Sequence, residues 1–525
     1  MVTLRRFWHT HSSSARRVAT GVLITLIGVG LSACARDKEE PTAPSDRAFS
    51  FNVRATQADL DSALAVHRRH TMQLIEIPGV VGTAVGLTTD GRPAISIFTN
   101  RTGIIGLPIN LEGIPVEVRV TGEIVAHPLQ ETGTATTCSV NCTTVSQWPL
   151  PVPTGVSTGP QAFILGQCPS GTIGARVSDF GRMGVYALSN NHVLALENTV
   201  AVGTDVRQPG LHDTPACSGS GSSVIGTLSA FKTIAFCSGG SCTENTIDAA
   251  IALSDPTRLD NWTAPEGYGV PNSVTRAASL GLSVQKYGRT SGLTRGQITG
   301  IDATVDVGYA SGIARFVHQV VISSCPGPGA VCIRPGDSGS LLVTNDATRN
   351  PVGLLFAGNQ PGTISYANPI DSVLMHFGVK VDASPAPTAS GGAPASCQFD
   401  WCSEIIGITA SGGNTITFHR AGLPTATLTL SGATASGGVP PCGGETCSPI
   451  VGITASGGNT ITLHRVGFAP ATLTLSGAKA SGGLSPVCGA EYCQSIIAVT
   501  ATGTNWVTMT NQAGSNDKGY LKLSF

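Results

Sequence analysis

Short apolar runs separated by turn residues dominate the chain, and helical spacing is confined to a few segments. Apolar residues recur at intervals of three and four over 57–73, which predicts an amphipathic helix. The runs 80–88, 93–98 and 114–121 are short, apolar and bounded by turn residues, which predicts strands. Together these segments predict a small α+β unit over residues 51–126.

Residues 161–380 have the same strand-and-turn pattern with almost no helical spacing. Their main apolar runs lie at 184–188, 247–253, 283–287, 297–307, 314–322, 340–343 and 352–356. A series of short strands of this kind predicts two packed antiparallel β-barrels. A short helix is expected at 373–377. The fold class predicted for the whole chain is therefore mainly β.

The last quarter of the chain is repetitive. A Pro-, Ala-, Ser- and Gly-rich linker is predicted at 381–396, and the sequence GITASGGNTIT then occurs at 407–417 and again at 452–462. With a diverged copy that starts at Cys488, residues 397–525 are predicted to form three β-rich repeats of about 45 residues, each opening with a Cys-x4-Cys pair. These repeats are either a module that binds a surface or protein partner, or a spacer.

The N-terminal residues indicate export. Four arginines precede an apolar run over 18–33, as in the charged and hydrophobic regions of a signal peptide. The run ends in Leu31-Ser32-Ala33-Cys34, which resembles a bacterial lipobox and implies a signal peptide over 1–34 with lipid on Cys34. An uncleaved membrane anchor is the alternative. Because residue 35 is Ala rather than Asp, the resemblance favours the outer membrane, with residues 35–50 as a tether to a periplasmic or surface-facing protein.

The charge balance excludes one class of partner. The formal net charge is −1 and charged residues make up 12% of the chain. A nucleic-acid-binding protein would instead carry a basic face or stripe.

The cysteine pattern predicts disulfides. Setting Cys34 aside, fourteen of the 15 cysteines remain, and most are close pairs. In an oxidising compartment these pairs are expected to bridge loops. The predicted bridges are Cys138–Cys142, Cys237–Cys242, Cys325–Cys332, Cys397–Cys402, Cys442–Cys447, Cys488–Cys493 and, from the two cysteines left over, Cys168–Cys217. Zinc is the competing interpretation, but neither CxxC knuckles nor accompanying histidines recur, so no metal site is expected.

Three motifs with the residue types of a nucleophilic hydrolase occur in one order within 161–380. His192 follows an apolar run in SNNHVLA, Asp248 begins the run DAAIAL, and Ser338 lies in the glycine-flanked bend PGDSGSLLV. A serine that hydrolyses an amide needs a base to take its proton, and the base needs a carboxylate to fix its tautomer. Backbone N–H groups of a tight turn must also stabilise the oxyanion.

These motifs resemble the chymotrypsin/trypsin family of serine peptidases, and specifically a bacterial and plant branch with NNHVLA, DAAIA, GDSGSLLV and a KYGRTSGLTRG segment. The resemblance covers about 160–380. It implies a double antiparallel β-barrel with the active site between the barrels, and no cofactor. His192 would be the general base, Asp248 its orienting acid and Ser338 the nucleophile.

The same resemblance implies two further elements of the site. The N–H groups of Gly336 and Ser338 would form the oxyanion hole, and glycine at 336 and 339 gives the bend the freedom to aim them. The segment Phe356-Ala357-Gly358 would be the edge strand that pairs with the substrate backbone.

The sequence departs from the family in two places. No Ile-Val-Gly-Gly terminus precedes the domain, which argues against activation by insertion of a new N-terminus near Asp337. Cys332 stands six residues before Ser338, where animal members set specificity, so a preference for basic residues has no support.

Rival site residues also exist. Asp205 and Asp213 lie between His192 and Asp248 but in Pro- and Gly-rich loop sequence. His212 and His318 lack the strand-then-loop setting of His192.

We therefore expect a serine endopeptidase that acts on protein or peptide substrates through an acyl-enzyme. The alternatives are a catalytically silent surface protein that binds a partner, and an adhesin that uses the repeats. The unit at 51–126 is either a pro-segment or a structural cap, and residues 127–160 are predicted to be a linker.

Overall fold

The structure is a computed structural model. The residues that it describes are 55–126, 143–163, 168–179, 184–325, 331–383, 388–393, 395–398, 401–441, 448–456, 459–486, 488, 493–504, 506–512 and 518–524. The signal peptide with Cys34, the tether, Cys138–Cys142 and Cys442–Cys447 lie outside these residues. Within the described ranges, every helix is too short or too polar to cross a membrane.

The N-terminal unit consists of one helix and five strands. They are α1 (Gln57–Ile75), β1 (Val80–Leu87), β2 (Pro93–Thr99), β3 (Asn110–Leu111), β4 (Ile114–Val120) and β5 (Ile124–Val125). Thr56 caps α1, because its side chain accepts a hydrogen bond from the Asp59 amide while Asp59 accepts from the Thr56 amide. The helix packs on the sheet β1–β2–β4 through an apolar cluster that includes Val66, Leu74 and Ile95.

The central region contains two barrel-like sheets. Its first half has β6 (Val152–Thr154), β7 (Ser157–Pro160), β8 (Gly171–Thr172), β9 (Ala175–Asp179), β10 (Val185–Ser189), α2 (Asn191–Leu194), β11 (Asp205–Gln208), β12 (Ser223–Phe231), β13 (Glu244–Asn245), β14 (Ala250–Ser254) and β15 (Leu259–Thr263). The second half has β16 (Ser283–Gly288), β17 (Gly292–Tyr309), β18 (Gly312–Ser323), β19 (Leu341–Thr344), β20 (Pro351–Asn359), β21 (Ser365–Pro369), α3 (Ile370–Phe377) and β22 (Val379–Val381).

The pairing of these strands separates the two sheets. The first sheet has the order β22-β9-β10-β14-β12-β11-β7-β8. In the second, β18-β21-β20-β19-β16-β17 forms a ring, because β17 also pairs with β18. The predicted mainly β class with barrel-like sheets is therefore confirmed.

The N-terminal unit is continuous with the second barrel. Strand β1 pairs antiparallel with β17, for example Thr83 with Thr304, so that β1, β2 and β4 extend the barrel sheet outward. The strands of the α+β unit predicted over 51–126 pair with the long β17–β18 hairpin, since an exposed strand edge offers unpaired N–H and C=O groups.

Two segments predicted as linkers contain strands. Residues 152–154 and 157–160, within the predicted linker 127–160, form β6 and β7, and Trp148 just before them is buried in the core of the first sheet. In the predicted linker 381–396, Thr388–Ala393 is a strand of the C-terminal barrel. Its sequence TASGGA matches TASGGV at 434–439, which is also a strand of this barrel, so the strand was identifiable from the repeat.

The C-terminal region is a closed barrel of three four-stranded groups. Its strands are β23 (Thr388–Ala393), β26 (Ile405–Ser411), β27 (Thr415–Arg420), β28 (Leu423–Ser431), β29 (Thr434–Val439), β30 (Ile450–Ser456), β31 (Thr460–Arg465), β32 (Ala471–Ser476), β33 (Lys479–Leu484), β34 (Ile496–Thr504), β35 (Trp506–Asn511) and β36 (Lys518–Ser524). The groups β23-β28-β27-β26, β29-β32-β31-β30 and β33-β36-β35-β34 follow one another around the barrel, and alternate residues such as Leu428 and Leu430 fill its interior. A small hairpin, β24 (Cys397–Gln398) with β25 (Trp401–Cys402), lies outside the barrel.

The C-terminal barrel packs against the first sheet through aromatic side chains. The ring centroid of Trp148 lies 5.4 Å from that of Trp506 and 6.3 Å from that of Tyr520. The Tyr520 hydroxyl donates a hydrogen bond to the Glu266 carboxylate. Trp506 and Tyr520 therefore belong to the same apolar core as the first sheet.

Four disulfides join described cysteines. They are Cys168–Cys217, Cys237–Cys242, Cys325–Cys332 and Cys488–Cys493. Cys397 lies opposite Cys402 in the β24–β25 ladder, and Cys402 is disulfide-bonded.

Candidate active site

The histidine and the aspartate of the predicted triad are both held by the first sheet. His192 lies in α2, a single helical turn directly after β10, and Asp248 lies two residues before β14, the strand that pairs with β10. The Asn190 side chain donates a hydrogen bond to the Asp248 carbonyl over 2.7 Å, which ties the start of α2 to the aspartate. Because β10 and β14 are neighbours, the two side chains meet at one end of the sheet.

His192 and Asp248 are in direct contact. The distance between His192 Nδ1 and Asp248 Oδ2 is 2.5 Å, and the His192 amide donates to Asp248 Oδ1 over 3.2 Å. Asp248 is fully buried, and His192 is 9% exposed. With Nδ1 held by the carboxylate, the imidazole keeps Nε2 for another partner, and this atom is buried without a hydrogen bond among the described residues.

The bend that carries Ser338 comes from the second barrel and is fixed by the first sheet. Thr172 of β8 donates from its amide to the Ser338 carbonyl over 2.8 Å and from its hydroxyl to the Gly336 carbonyl over 2.9 Å. A Cβ on Gly171 would lie 2.5 Å from a methyl of Val193 and 2.9 Å from the Ser338 carbonyl oxygen. Gly171 therefore lies between the residue after His192 and the serine.

Ser338 and His192 are not hydrogen-bonded to each other in this structure. The Ser338 hydroxyl donates instead to the Phe356 carbonyl at 3.4 Å, a weak contact. Catalytic hydrogen bonds are often long or misaligned before substrate binds.

The peptide groups that contain the amides of Gly336 and Ser338 are fixed by hydrogen bonds to their carbonyl oxygens. The Pro335 carbonyl accepts from the Thr290 hydroxyl, and the Asp337 carbonyl accepts from both the amide and the hydroxyl of Ser340. In a trans peptide the N–H points opposite to the C=O, so these bonds also fix the N–H groups of Gly336 and Ser338. No acceptor for either N–H lies among the described residues. Gly336 has a φ of +92°, a conformation that glycine adopts without strain.

Asp337 is buried under the bend and paired with Lys286. Its carboxylate lies 3.0 Å from Lys286 Nζ and accepts hydrogen bonds from the amides of Thr290, Ser291 and Arg334. Burial opposes ionisation of Asp337, but the positive charge of Lys286 and these hydrogen bonds outweigh it and hold the pKa of Asp337 below its usual value. An internal lysine thus supplies the cation that stabilises this bend. Lys286 is the first residue of the KYGRTSG segment, but the sequence alone did not identify it as the partner of Asp337.

The strand predicted to bind the substrate backbone is already paired at its end. β20, which contains Phe356, Ala357 and Gly358, pairs with β21 along one side, whereas on its other side β19 pairs with it only as far as Leu354. At its end, Gly358 and Asn359 pair antiparallel with Val125 and Ile124 of β5. β5 also contacts the β17–β18 hairpin, where the Ala126 amide donates to the Gly308 carbonyl over 3.0 Å.

Sequence reasoning missed Tyr309. This residue is the last of β17, and its hydroxyl donates to Asp248 Oδ2 over 2.9 Å. Its ring lies edge-on to the His192 imidazole, with the centroids 5.8 Å apart. Sequence position offered no signal, because Tyr309 and Asp248 are 61 residues apart and meet through the second barrel.

The rival residues lie in other settings. Asp213, which the sequence pattern places in a loop, is fully buried and forms an ion pair with Arg289. Arg289 Nε donates a hydrogen bond to Asp213 Oδ2 over 2.8 Å. His318 is exposed and pairs with Asp302 on the outside of the hairpin. In the described part of the chain, no three His, Cys, Asp or Glu side chains form a group that could hold a metal ion.

Comparison with known proteins gives one match among curated sequences and several among solved structures. No family model matches the chain. Streptogrisin-A of Streptomyces griseus is 33% identical over 107 residues, which is 20% of this chain. The matched region spans 32%, about a third, of the length of Streptogrisin-A.

The structural matches are weaker. Protease A of Thermobifida fusca is 19% identical with a TM-score of 0.30, covering 44% of this chain and 99% of its own. A glutamic-acid-specific serine protease gives the same identity, the same TM-score and 44% and 100% coverage. Cellulomonas bogoriensis chymotrypsin is 19% identical with a TM-score of 0.27, over 41% of this chain and 91% of its own. At these TM-scores the matches establish nothing further about this chain. The similarity to Streptogrisin-A supports a relationship to trypsin-like serine proteases over part of the chain.

Proposed function

We propose that the chain is a serine endopeptidase in which Ser338, His192 and Asp248 act as one triad. The observation that carries this proposal is the 2.5 Å contact between Asp248 and His192 Nδ1, which leaves Nε2 buried and without a hydrogen bond among the described residues. An imidazole that a buried carboxylate holds in this way is poised to accept a proton from a hydroxyl.

The reaction follows from these groups. His192 Nε2 takes the proton of Ser338 as the serine oxygen bonds to the substrate carbonyl carbon. The resulting oxyanion accepts hydrogen bonds from the amides of Gly336 and Ser338. When the C–N bond breaks, the leaving amine takes the proton from His192 and an acyl-enzyme remains. Water then attacks the ester with His192 again as base, and the carboxylic acid product leaves Ser338 free.

A fluorophosphonate tests this proposal, because it phosphonylates only a serine that an adjacent base activates. The purified protein is incubated with the probe, and the modified residue is mapped by mass spectrometry. We expect one adduct, on Ser338, that is lost in both Ser338→Ala and His192→Ala. A protein that is folded yet unlabelled would favour the silent binding protein instead.

We further propose that residues 51–126 are a pro-segment that blocks the substrate strand. Support comes from β5, whose residues Ile124 and Val125 form an antiparallel ladder with Gly358 and Asn359. A substrate backbone that pairs with this part of β20 would need the same N–H and C=O groups. The N-terminal unit would then reduce activity until β5 leaves the strand.

A proline substitution tests the pro-segment. Ala126→Pro removes the amide that donates to Gly308, while Ala126→Ser keeps it and serves as the matched control. We expect faster fluorophosphonate labelling of Ser338 in Ala126→Pro than in the wild type, and wild-type labelling in Ala126→Ser. Equal rates in all three proteins would favour a structural cap.

We also propose that the protein is exported and lipid-anchored at Cys34, in the outer membrane. The disulfides among described cysteines support an oxidising compartment. Metabolic labelling with a fatty-acid analogue should tag the wild-type protein and not Cys34→Ser. Equal labelling of the two would exclude the anchor.

A further inference from the structure

The β17–β18 hairpin reaches from the second barrel across to the triad acid. Its last strand residue, Tyr309, donates its hydroxyl to Asp248 Oδ2, the same oxygen that contacts His192 Nδ1. The other oxygen, Oδ1, accepts from the His192 amide. Without Tyr309, a single contact to the imidazole would hold Oδ2.

The turn that follows Tyr309 is fastened to the segment after α2. The carboxylate of Glu197 accepts hydrogen bonds from the amides of Ala310, at 3.1 Å, and Ser311, at 2.7 Å. Glu197 has a φ of +56° in a run of three residues with left-handed backbone, and it is 8% exposed. The hairpin tip is thus held at the end of the helix that carries His192.

Aromatic packing fixes the direction of the Tyr309 side chain. Its ring lies 5.8 Å from both His192 and Phe236 and 6.1 Å from Phe316, measured between ring centroids. Burial, followed by the negative charge of Asp248, raises the pKa of Tyr309 well above its usual value. The hydroxyl therefore remains protonated at neutral pH and can only donate to the carboxylate.

We infer that Tyr309 is a positioning residue of the triad, whose hydroxyl fixes the rotation of the Asp248 carboxylate and reduces the negative charge that it presents to His192. This inference rests on the proposed peptidase function. It adds a residue from the second barrel to the two that the first sheet supplies. Tyr309 touches Asp248 and His192 and acts on the reaction through them.

The inference predicts the direction of a pH effect. Among the described residues, the ionisable groups in contact with His192 are Asp248 and Tyr309, and Glu197 lies at the turn beyond them. Without the Tyr309 hydroxyl, Oδ2 keeps more of its negative charge, and this charge stabilises the protonated form of His192. In Tyr309→Phe the midpoint of the His192 titration should move to higher pH than in the wild type.

The test is an NMR titration of the histidine ring nitrogens in the full-length protein, which does not depend on activity. His192 is assigned by its loss in His192→Gln. Tyr309→Phe keeps the ring and its packing, so the fold is expected to survive. Tyr366→Phe is the matched control: Tyr366 lies in the same apolar cluster, and its hydroxyl has no partner among the described residues. The control should leave the His192 midpoint unchanged.

A second readout separates positioning from packing. For a peptide substrate, Tyr309→Phe should lower kcat by about tenfold with little change in KM, and should move the acid limb of the pH profile upward. An unchanged His192 midpoint in Tyr309→Phe, or an equal shift in Tyr366→Phe, overturns the inference. If the midpoint shifts but the wild-type protein does not react with a fluorophosphonate, the positioning role stands and the peptidase proposal fails.

Discussion

The ammonium group of Lys286 lies 3.0 Å from the carboxylate of Asp337, and both residues are buried directly beneath the bend that carries Ser338. Lys286 belongs to β16, and Asp337 belongs to the loop before β19, the strand that pairs with β16. The pair therefore anchors the serine bend to the barrel wall.

Replacing Lys286 should destabilise the protein. Lys286→Met would leave the buried Asp337 carboxylate without its cation, which costs about 3–5 kcal/mol of unfolding free energy. The measurement is urea unfolding, with Lys380→Met as the control, because Lys380 is exposed on β22. A loss below about 1 kcal/mol in Lys286→Met would show that the pair does not hold the bend.

Asp337 also sets an acid limit on stability. Because the pKa of its carboxyl is lowered in the folded protein, its contribution is fully present above the unfolded value of about 3.9 and is lost as the pH falls through the folded value. We expect the wild-type unfolding free energy to fall below about pH 4, and to fall less steeply in Lys286→Met. Parallel pH curves for the two proteins would contradict this.

The buried pair of Asp213 and Arg289 predicts a second loss. Asp213→Asn would leave Arg289 with an uncompensated buried charge, and a cost of about 3–5 kcal/mol is expected. Asp205, half-buried on β11, is the control, and Asp205→Asn should stay within about 0.5 kcal/mol of the wild type. Equal losses of unfolding free energy in Asp213→Asn and Asp205→Asn would show that the ion pair with Arg289 does not stabilise the fold.

The C-terminal barrel should stabilise the first sheet. Trp506→Ala removes the ring that covers Trp148, and a loss of about 3–5 kcal/mol is expected. Phe468→Ala is the control, since Phe468 is 61% exposed on the same barrel. A chain that ends near 385 should therefore be less stable than the full chain, and equal stability would show that the barrel is an independent attachment.

Much of the fold was predictable from local pattern, because short apolar runs bounded by turn residues predict strands wherever they occur. The helix over 57–73 and the strands of the second barrel lie where the pattern puts them. What the pattern could not supply is strand pairing. The joining of β1 to β17 and the contact of Tyr309 with Asp248 depend on backbone and side chains far apart in sequence, and composition carries no record of them.

Linker composition was the misleading signal. Pro, Ser and Gly at 143–160, and Ser and Gly at 388–393, are typical of loops, yet both segments contain strands. The reason differs between the two. Trp148 buries an aromatic ring that anchors the first segment, whereas TASGGA repeats a strand sequence that recurs in the barrel. The candidate triad was identifiable because its three motifs occur in one order with the right residue types.

The most direct test of the account is whether Ser338 and His192 act as one unit. The kcat of Ser338→Ala, of His192→Ala and of the double variant is measured on the same peptide substrate. All of these variants also carry Ala126→Pro, which is expected to release β5 from β20. Each single variant should lower kcat by on the order of 10⁴–10⁶, and the double variant should be scarcely worse than either. If Ser338→Ala keeps most of the activity, or if the two losses multiply, the triad assignment is contradicted.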